Sequence, residues 1–135
     1  MITDFLGMWV LDVATCQYEQ GDPPQSGSYE ITQNGDTLTF RMSWVDAEGD
    51  AHDMSFSGKP DGVPVPFDGG PLADSLSISL PKDNQLDSAA FLDGQELMRA
   101  SRILSADHAS LDILQVVKLP DGSTPTNRAT YRRLQ

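Results

Sequence analysis

The sequence predicts an all-β protein, an antiparallel up-and-down closed β-barrel of about ten strands. Three observations predict it. Turn signals recur along the chain, at Asn34-Gly35, Glu48-Gly49, Asp61-Gly62, Asp83-Asn84, Asp93-Gly94, Asp107-His108 and Asp121-Gly122. These residue types accept the positive φ of tight hairpins. The signals lie mostly 10 to 14 residues apart, which leaves room for one strand between turns but none for a crossover helix, so neighbouring strands must be antiparallel. The stretches between turns alternate apolar and polar residues with period two, the mark of half-buried strands.

The strands follow in order. "FLGMWVLDV" opens the chain as a strand over 6–14 and places Trp9 where a later element must cover it. The segment 15–26, "TCQYEQGDPPQS", reads as a loop because Pro23 and Pro24 oppose regular structure. Strands are predicted at 27–33 and 37–46. In "TLTFRMSW", Leu38, Phe40, Met42 and Trp44 share one face, and Thr37, Thr39, Arg41 and Ser43 the other. A strand at 52–58 aligns Met54 with Phe56. The segment 63–67, "VPVPF", is at best a short edge strand, since Pro64 and Pro66 cannot donate to a ladder. "DGGP" after it reads as a turn and has no strand-to-helix context for a phosphate loop. In "SLSISL", within a strand at 74–80, Leu76, Ile78 and Leu80 oppose three serines. Strands at 85–92, 95–104, 109–118 and 125–134 complete the set. "DGQELMRASRIL" contains helix formers, but it lies at hairpin distance between two turns and is read as strand.

A meander has two exposed edges, which aggregate unless covered. Pairing the first strand with the last removes both. Charge favours that closure: residues 1–40 hold no Lys or Arg, whereas the last strand carries Arg128, Arg132 and Arg133. A two-sheet sandwich is the alternative. The whole chain of 135 residues reads as one domain.

Composition excludes several function classes. With 9 basic against 20 acidic residues, the net charge is −11. Such a surface repels phosphate backbones and anionic lipid, so neither nucleic acid nor membrane is an expected partner. The lone Cys16 excludes an intramolecular disulfide. No apolar run approaches the roughly 20 residues of a spanning helix. The first residues lack the basic-then-apolar order of a secretory signal, so a cytoplasmic location is expected.

"FLGMWVLD" and the closing "ATYRRLQ" resemble the end signatures of the calycins, the superfamily of lipocalins and fatty-acid-binding proteins. The chain as a whole is similar to small bacterial lipocalin-like domains, through "PDGVPVPF…ADSLS" and "RILSADHASLDI…LPDGSTPTNRATYRR". The resemblance implies a barrel whose floor is closed by a Gly-x-Trp on the first strand and an Arg on the last. Here those residues are Gly7, Trp9 and Arg133 or Arg132. Arg133 is preferred because it shares a strand face with Tyr131. The resemblance also marks departures. Fatty-acid-binding proteins insert a two-helix lid after their first strand, and here the proline-containing loop stands in its place, so no helical lid is expected. Their carboxylate clamp, Arg-x-Tyr on the last strand, is not carried over, because Arg128 and Tyr131 lie three residues apart and point to opposite faces.

The candidate binding residues are Phe40, Met42, Trp44, Met54 and Phe56, an apolar face on two adjacent strands. In a small barrel such a face either lines one ligand cavity or fills the interior as core. Arg41 or Arg102, if turned inward, would anchor an anionic head; outward ion pairs are the alternative, and 95–104 does not declare which face carries Arg99 and which Arg102. His52 and His108 have no second His or Cys at ligand spacing, so neither metal nor haem is expected. Cys16, among Glu19 and Asp22, sits where a thiol pKa rises. No Ser-His-acid or Cys-His signature appears, so no enzymatic activity and no cofactor is expected. The reading is a barrel that holds a fatty acid or other small apolar or amphipathic ligand. The alternative is a filled structural or interaction domain, working through homo-oligomer contacts.

Overall fold

A computed structural model of the protein describes residues 2–67 and 73–134. The turn expected at "DGGP", residues 68–71, lies outside the described residues. A short 3₁₀ helix, Ile2–Phe5, precedes ten strands: β1 (Gly7–Tyr18), β2 (Ser26–Asn34), β3 (Thr37–Val45), β4 (Ala51–Gly58), β5 (Val65–Pro66), β6 (Ser75–Lys82), β7 (Gln85–Leu92), β8 (Gln95–Leu104), β9 (Ser110–Val117) and β10 (Thr126–Arg133). They form one antiparallel sheet in the order β4-β3-β2-β1-β10-β9-β8-β7-β6-β5. The first and last strands therefore pair in the middle of the sheet, with Trp9 opposite Arg133 and Leu11 opposite Tyr131. This is the up-and-down barrel predicted above, and the sandwich is excluded.

Closure is near but incomplete. β4 and β5 share no ladder. The seam is drawn together lower down, where Gly62 N–H donates to the Ile78 carbonyl at 2.8 Å. A Cβ on Gly58 would stand 3.2 Å from Ile78 Cδ1.

Three local expectations are corrected. β1 runs four residues beyond the predicted end, to Tyr18. It does so through a bulge: pairing with β10 lapses between Asp12 and Gln17 and resumes at Gln17–Arg128 and Tyr18–Asn127. The Thr15 hydroxyl takes the place of the missing ladder contacts, donating to Asp12 O at 2.6 Å and accepting from Thr130 N–H at 2.8 Å. The prolines thus break the chain only near residue 22, and the loop shortens to 19–25. β5 covers only Val65–Pro66, shorter than the predicted 63–67, because the prolines lack ladder donors. The 3₁₀ helix carries no period-two signal, yet it buries Phe5 completely.

Hairpin chemistry behaves as the residues dictate. The β7–β8 turn is Asp93-Gly94 with φ of 52° and 82°, the two positive values of a type I′ turn. The segment 95–104 is strand despite its helix formers, because ladders to β7 and β9 hold both of its edges.

The core occupies one end of the barrel. Phe5, Trp9, Ile31, Leu38, Phe40, Ile78, Leu86 and Leu111 are all buried there. Burying each large apolar side chain contributes roughly 1.5–3 kcal/mol.

Candidate functional site

The opening question of the sequence, what covers Trp9, is answered at the closed end. The indole is fully buried, and its Nε1 donates to the Phe5 carbonyl at 3.0 Å. The Arg133 guanidinium lies over the ring, Cζ 4.2 Å from the centroid, a cation–π contact of about 1–2 kcal/mol when shielded. Arg133 also donates to three carbonyls: Leu6 O at 2.7 Å, His108 O at 2.8 Å and Asp4 O. The 3₁₀ helix and the β8–β9 turn are thereby tied to the last strand. Gly7 is required here, since its φ is +126° and a Cβ would stand 3.1 Å from Arg133 Nη1. Arg132 points outward to Asp12 at 3.3 Å, an exposed pair worth little.

Above this floor, and open at the opposite end, is a cavity of about 370 Å³. Met42, Trp44, Met54 and Phe56 line it. Phe40 does not: it is fully buried beneath, stacked on Phe56 with centroids 4.7 Å apart. The apolar face of β3 and β4 is thus core at its lower end and cavity wall above. Tyr131 was expected in the floor with Trp9. It stands higher, in the cavity wall, edge-on to Tyr29 at 5.8 Å.

Arg102 enters the same cavity. It is 3 % exposed. Its Nε donates to the Tyr29 hydroxyl at 2.6 Å, and Nη1 reaches Ala100 O at 3.5 Å. The guanidinium lies 4.7 Å from the Phe40 centroid and 5.3 Å from that of Tyr29. Among the described residues no carboxylate pairs with it. A guanidinium has five N–H donors, so most of its capacity is left facing the cavity. Burial pushes the Tyr29 phenol pKa up, and the charge and hydrogen bond of Arg102 oppose that shift. Burial also pushes Tyr131 well above the ordinary tyrosine range, aided by nearby Tyr18 and Tyr29.

No protein-family model matches the chain, and no curated protein matches it in sequence. Solved structures do match. Zebrafish ileal bile acid-binding protein, crystallised with cholic acid, superposes with a TM-score of 0.56 at 16 % identity, over 97 % of this chain and 99 % of that one. Lobster apocrustacyanin A1 gives 0.53 at 10 % identity, over 98 % of this chain and 62 % of that one. The fold is that of a calycin. Among the described residues the barrel has no helix beyond Ile2–Phe5, so no helical lid stands over the cavity mouth. No helix among those residues is long and apolar enough to cross a membrane.

The remaining candidates sit outside the cavity or at its rim. Arg41, proposed as an anchor, faces outward with its side chain 68 % exposed, 3.6 Å from Glu30. It lies between Phe40 and Met42, and alternation turns it to solvent. Arg99 also faces outward, held by Glu96 at 2.6 Å and Asp87 at 3.1 Å. Leu97 and Ile103 share its parity, which is why 95–104 did not declare its face. Cys16 belongs to β1 rather than a loop; burial first, then Asp12, raises its thiol pKa. His108 adopts φ +59° in the floor turn. His52 lies at the rim opposite Trp44. Among the described residues, no three His, Cys, Asp or Glu side chains cluster as a metal site.

Proposed function

We propose that the protein is a binding module whose cavity takes a small amphipathic acid, such as a fatty acid, with its anionic head on Arg102 and its apolar body against Met42, Met54 and Phe56. The observation that carries this reading is the pairing of a half-open apolar cavity with a buried guanidinium that has no carboxylate partner among the described residues. Burying an unpaired charge is costly. A ligand carboxylate would supply two acceptors to the planar fork of donors, a charge-assisted geometry. The volume, about 370 Å³, falls within the roughly 300–1,000 Å³ range of small-molecule sites. That size argues against a wholly filled barrel. The zebrafish neighbour, crystallised with cholic acid, is in keeping with an acidic amphipath. Desolvation of the ligand's apolar part drives binding, and Arg102 sets its orientation; no reaction is part of the reading. A single barrel domain in the cytoplasm belongs to the same proposal.

The test uses freshly purified protein. Native mass spectrometry should show a co-purified acid, and added laurate or oleate should quench Trp44 emission. Arg102→Met should weaken laurate by about tenfold or more, since a hydrogen bond to a charged group contributes roughly 1.5–3 kcal/mol. Dodecanol, which has no charge, should bind the variant as it binds the parent. No bound mass together with no quenching rejects the reading.

A further inference from the structure

Two adjacent cross-strand pairs stand on the inner face of β3 and β4 at the cavity mouth. Met42 is directly opposite Met54, and one step nearer the rim Trp44 is directly opposite His52. The imidazole stacks on the indole, with centroids 5.3 Å apart and planes 21° from parallel. His52 Nε2 lies 2.7 Å from Asp46 Oδ2. Asp46 is itself fixed, because its other oxygen accepts from Glu48 N–H at 3.0 Å and Asp50 N–H at 2.9 Å. The carboxylate accepts a hydrogen bond from Nε2–H. In the neutral ring that leaves the lone pair on Nδ1, for which no partner is found among the described residues.

A carboxylate on one imidazole nitrogen is the arrangement that orients a metal-binding histidine through the other. The neighbouring cross-strand pair, Met42 and Met54, supplies two thioethers, which are soft donors. Thioethers select Cu(I) over the harder divalent ions, which prefer oxygen ligands. The face of Trp44 favours a nearby cation. The chain's net charge of −11 raises the local concentration of any cation. We propose that Met42, Met54 and His52 form a site for a soft monovalent cation, Cu(I), beneath the indole of Trp44, with Asp46 as a positioning residue. Met54 is 37 % exposed, so the site opens directly to solvent and suits exchange of the ion. The proposal stands apart from the amphipathic-ligand reading, which uses the same methionines only as apolar surface.

The test titrates the full-length chain with Ag(I), a redox-inert mimic, and anaerobically with Cu(I) in competition with bicinchoninate. Both are done in a Cys16→Ser background, so that the thiol does not take up the ion. The expected result is one ion per chain, with a change in Trp44 emission that Trp44→Phe abolishes. Met42→Leu and Met54→Leu keep volume and apolarity but remove the sulfur. Each should weaken Ag(I) and Cu(I) at least tenfold while the thermal midpoint is little changed. Asp46→Asn should weaken the metal roughly tenfold, the scale of a lost outer-shell partner. Equimolar Zn(II) should not displace the ion. Unaltered Ag(I) and Cu(I) affinity in both leucine variants, or displacement by Zn(II), would overturn the proposal and assign any uptake to surface carboxylates.

Discussion

The floor and the cavity of this barrel use an inward arginine in opposite ways. At the closed end Arg133 covers Trp9 and gives its donors to three backbone carbonyls. In the cavity above, Arg102 is the more deeply buried of the two, yet it holds only a hydroxyl at 2.6 Å and a long contact to one carbonyl. Both lie over aromatic rings. The difference is saturation. A guanidinium whose donors are all taken by its own chain is a rivet, and one that faces a cavity with donors to spare is a receptor. Burial alone does not separate the two roles.

The comparison breaks most readily at Trp9. Trp9→Ala removes a fully buried indole and should cost about 3–5 kcal/mol, read as a drop in urea midpoint and a fall in Tm of roughly 10 °C or more. A loss below about 1 kcal/mol would mean that the closed end does not carry the barrel. Arg133→Lys comes next. A lysine cannot reproduce the fork that reaches three carbonyls, and the expected loss is about 1–3 kcal/mol in the same denaturation experiment.

Alkaline pH tests the wall between the two ends. Tyr29 and Tyr131 both hold their protons above the ordinary tyrosine value. An unfolded tyrosine releases its proton near pH 10. Stability from these groups is therefore complete below about pH 10 and is lost as pH rises toward their folded values. Thermal midpoints measured from pH 8 to 12 should fall beyond pH 10, and Tyr131→Phe should flatten that fall. In the cavity lining the effects on stability should be small. Arg102→Met, which costs ligand affinity, should change stability by less than about 1 kcal/mol in either direction, because its desolvation is poorly compensated. Met54→Leu at the rim should stay within about 0.5 kcal/mol. A large loss from either would show that the cavity lining is structural after all.

Much of the frame was legible because period-two alternation and hairpin residues are local signals. The strands at 37–46, 52–58 and 85–92 lie within a residue of their observed bounds. The floor was legible for another reason: a Trp at an early strand position demands a cover, and the resemblance named it. The rest needed partners that sequence alone does not display. β1 reaches Tyr18 only because β10 offers a ladder beyond the bulge that Thr15 stabilises. Arg102 turns inward by alternation with Met98, Ala100 and Leu104, but Leu97 and Ile103 on the other parity hid that face, since the pairing is irregular only before Met98. Arg41 is a different case. Its position between Phe40 and Met42 already pointed outward, and alternation could have excluded it. Tyr29 also had a signal, sharing a strand face with Ile31, and it proves to be the hydroxyl that orients the buried arginine.

The sheet order has a kinetic corollary. Because β1 meets β10 at its centre, each half of the chain can form its hairpins from local contacts, but neither half has the other until the strand latest in the sequence arrives. During synthesis, β1 to β4 would wait with one flank of β1 unpaired while the rest of the chain is made. The Thr126–Arg133 segment is then the keystone, and the slow step of folding should be its insertion, a closure across more than a hundred residues.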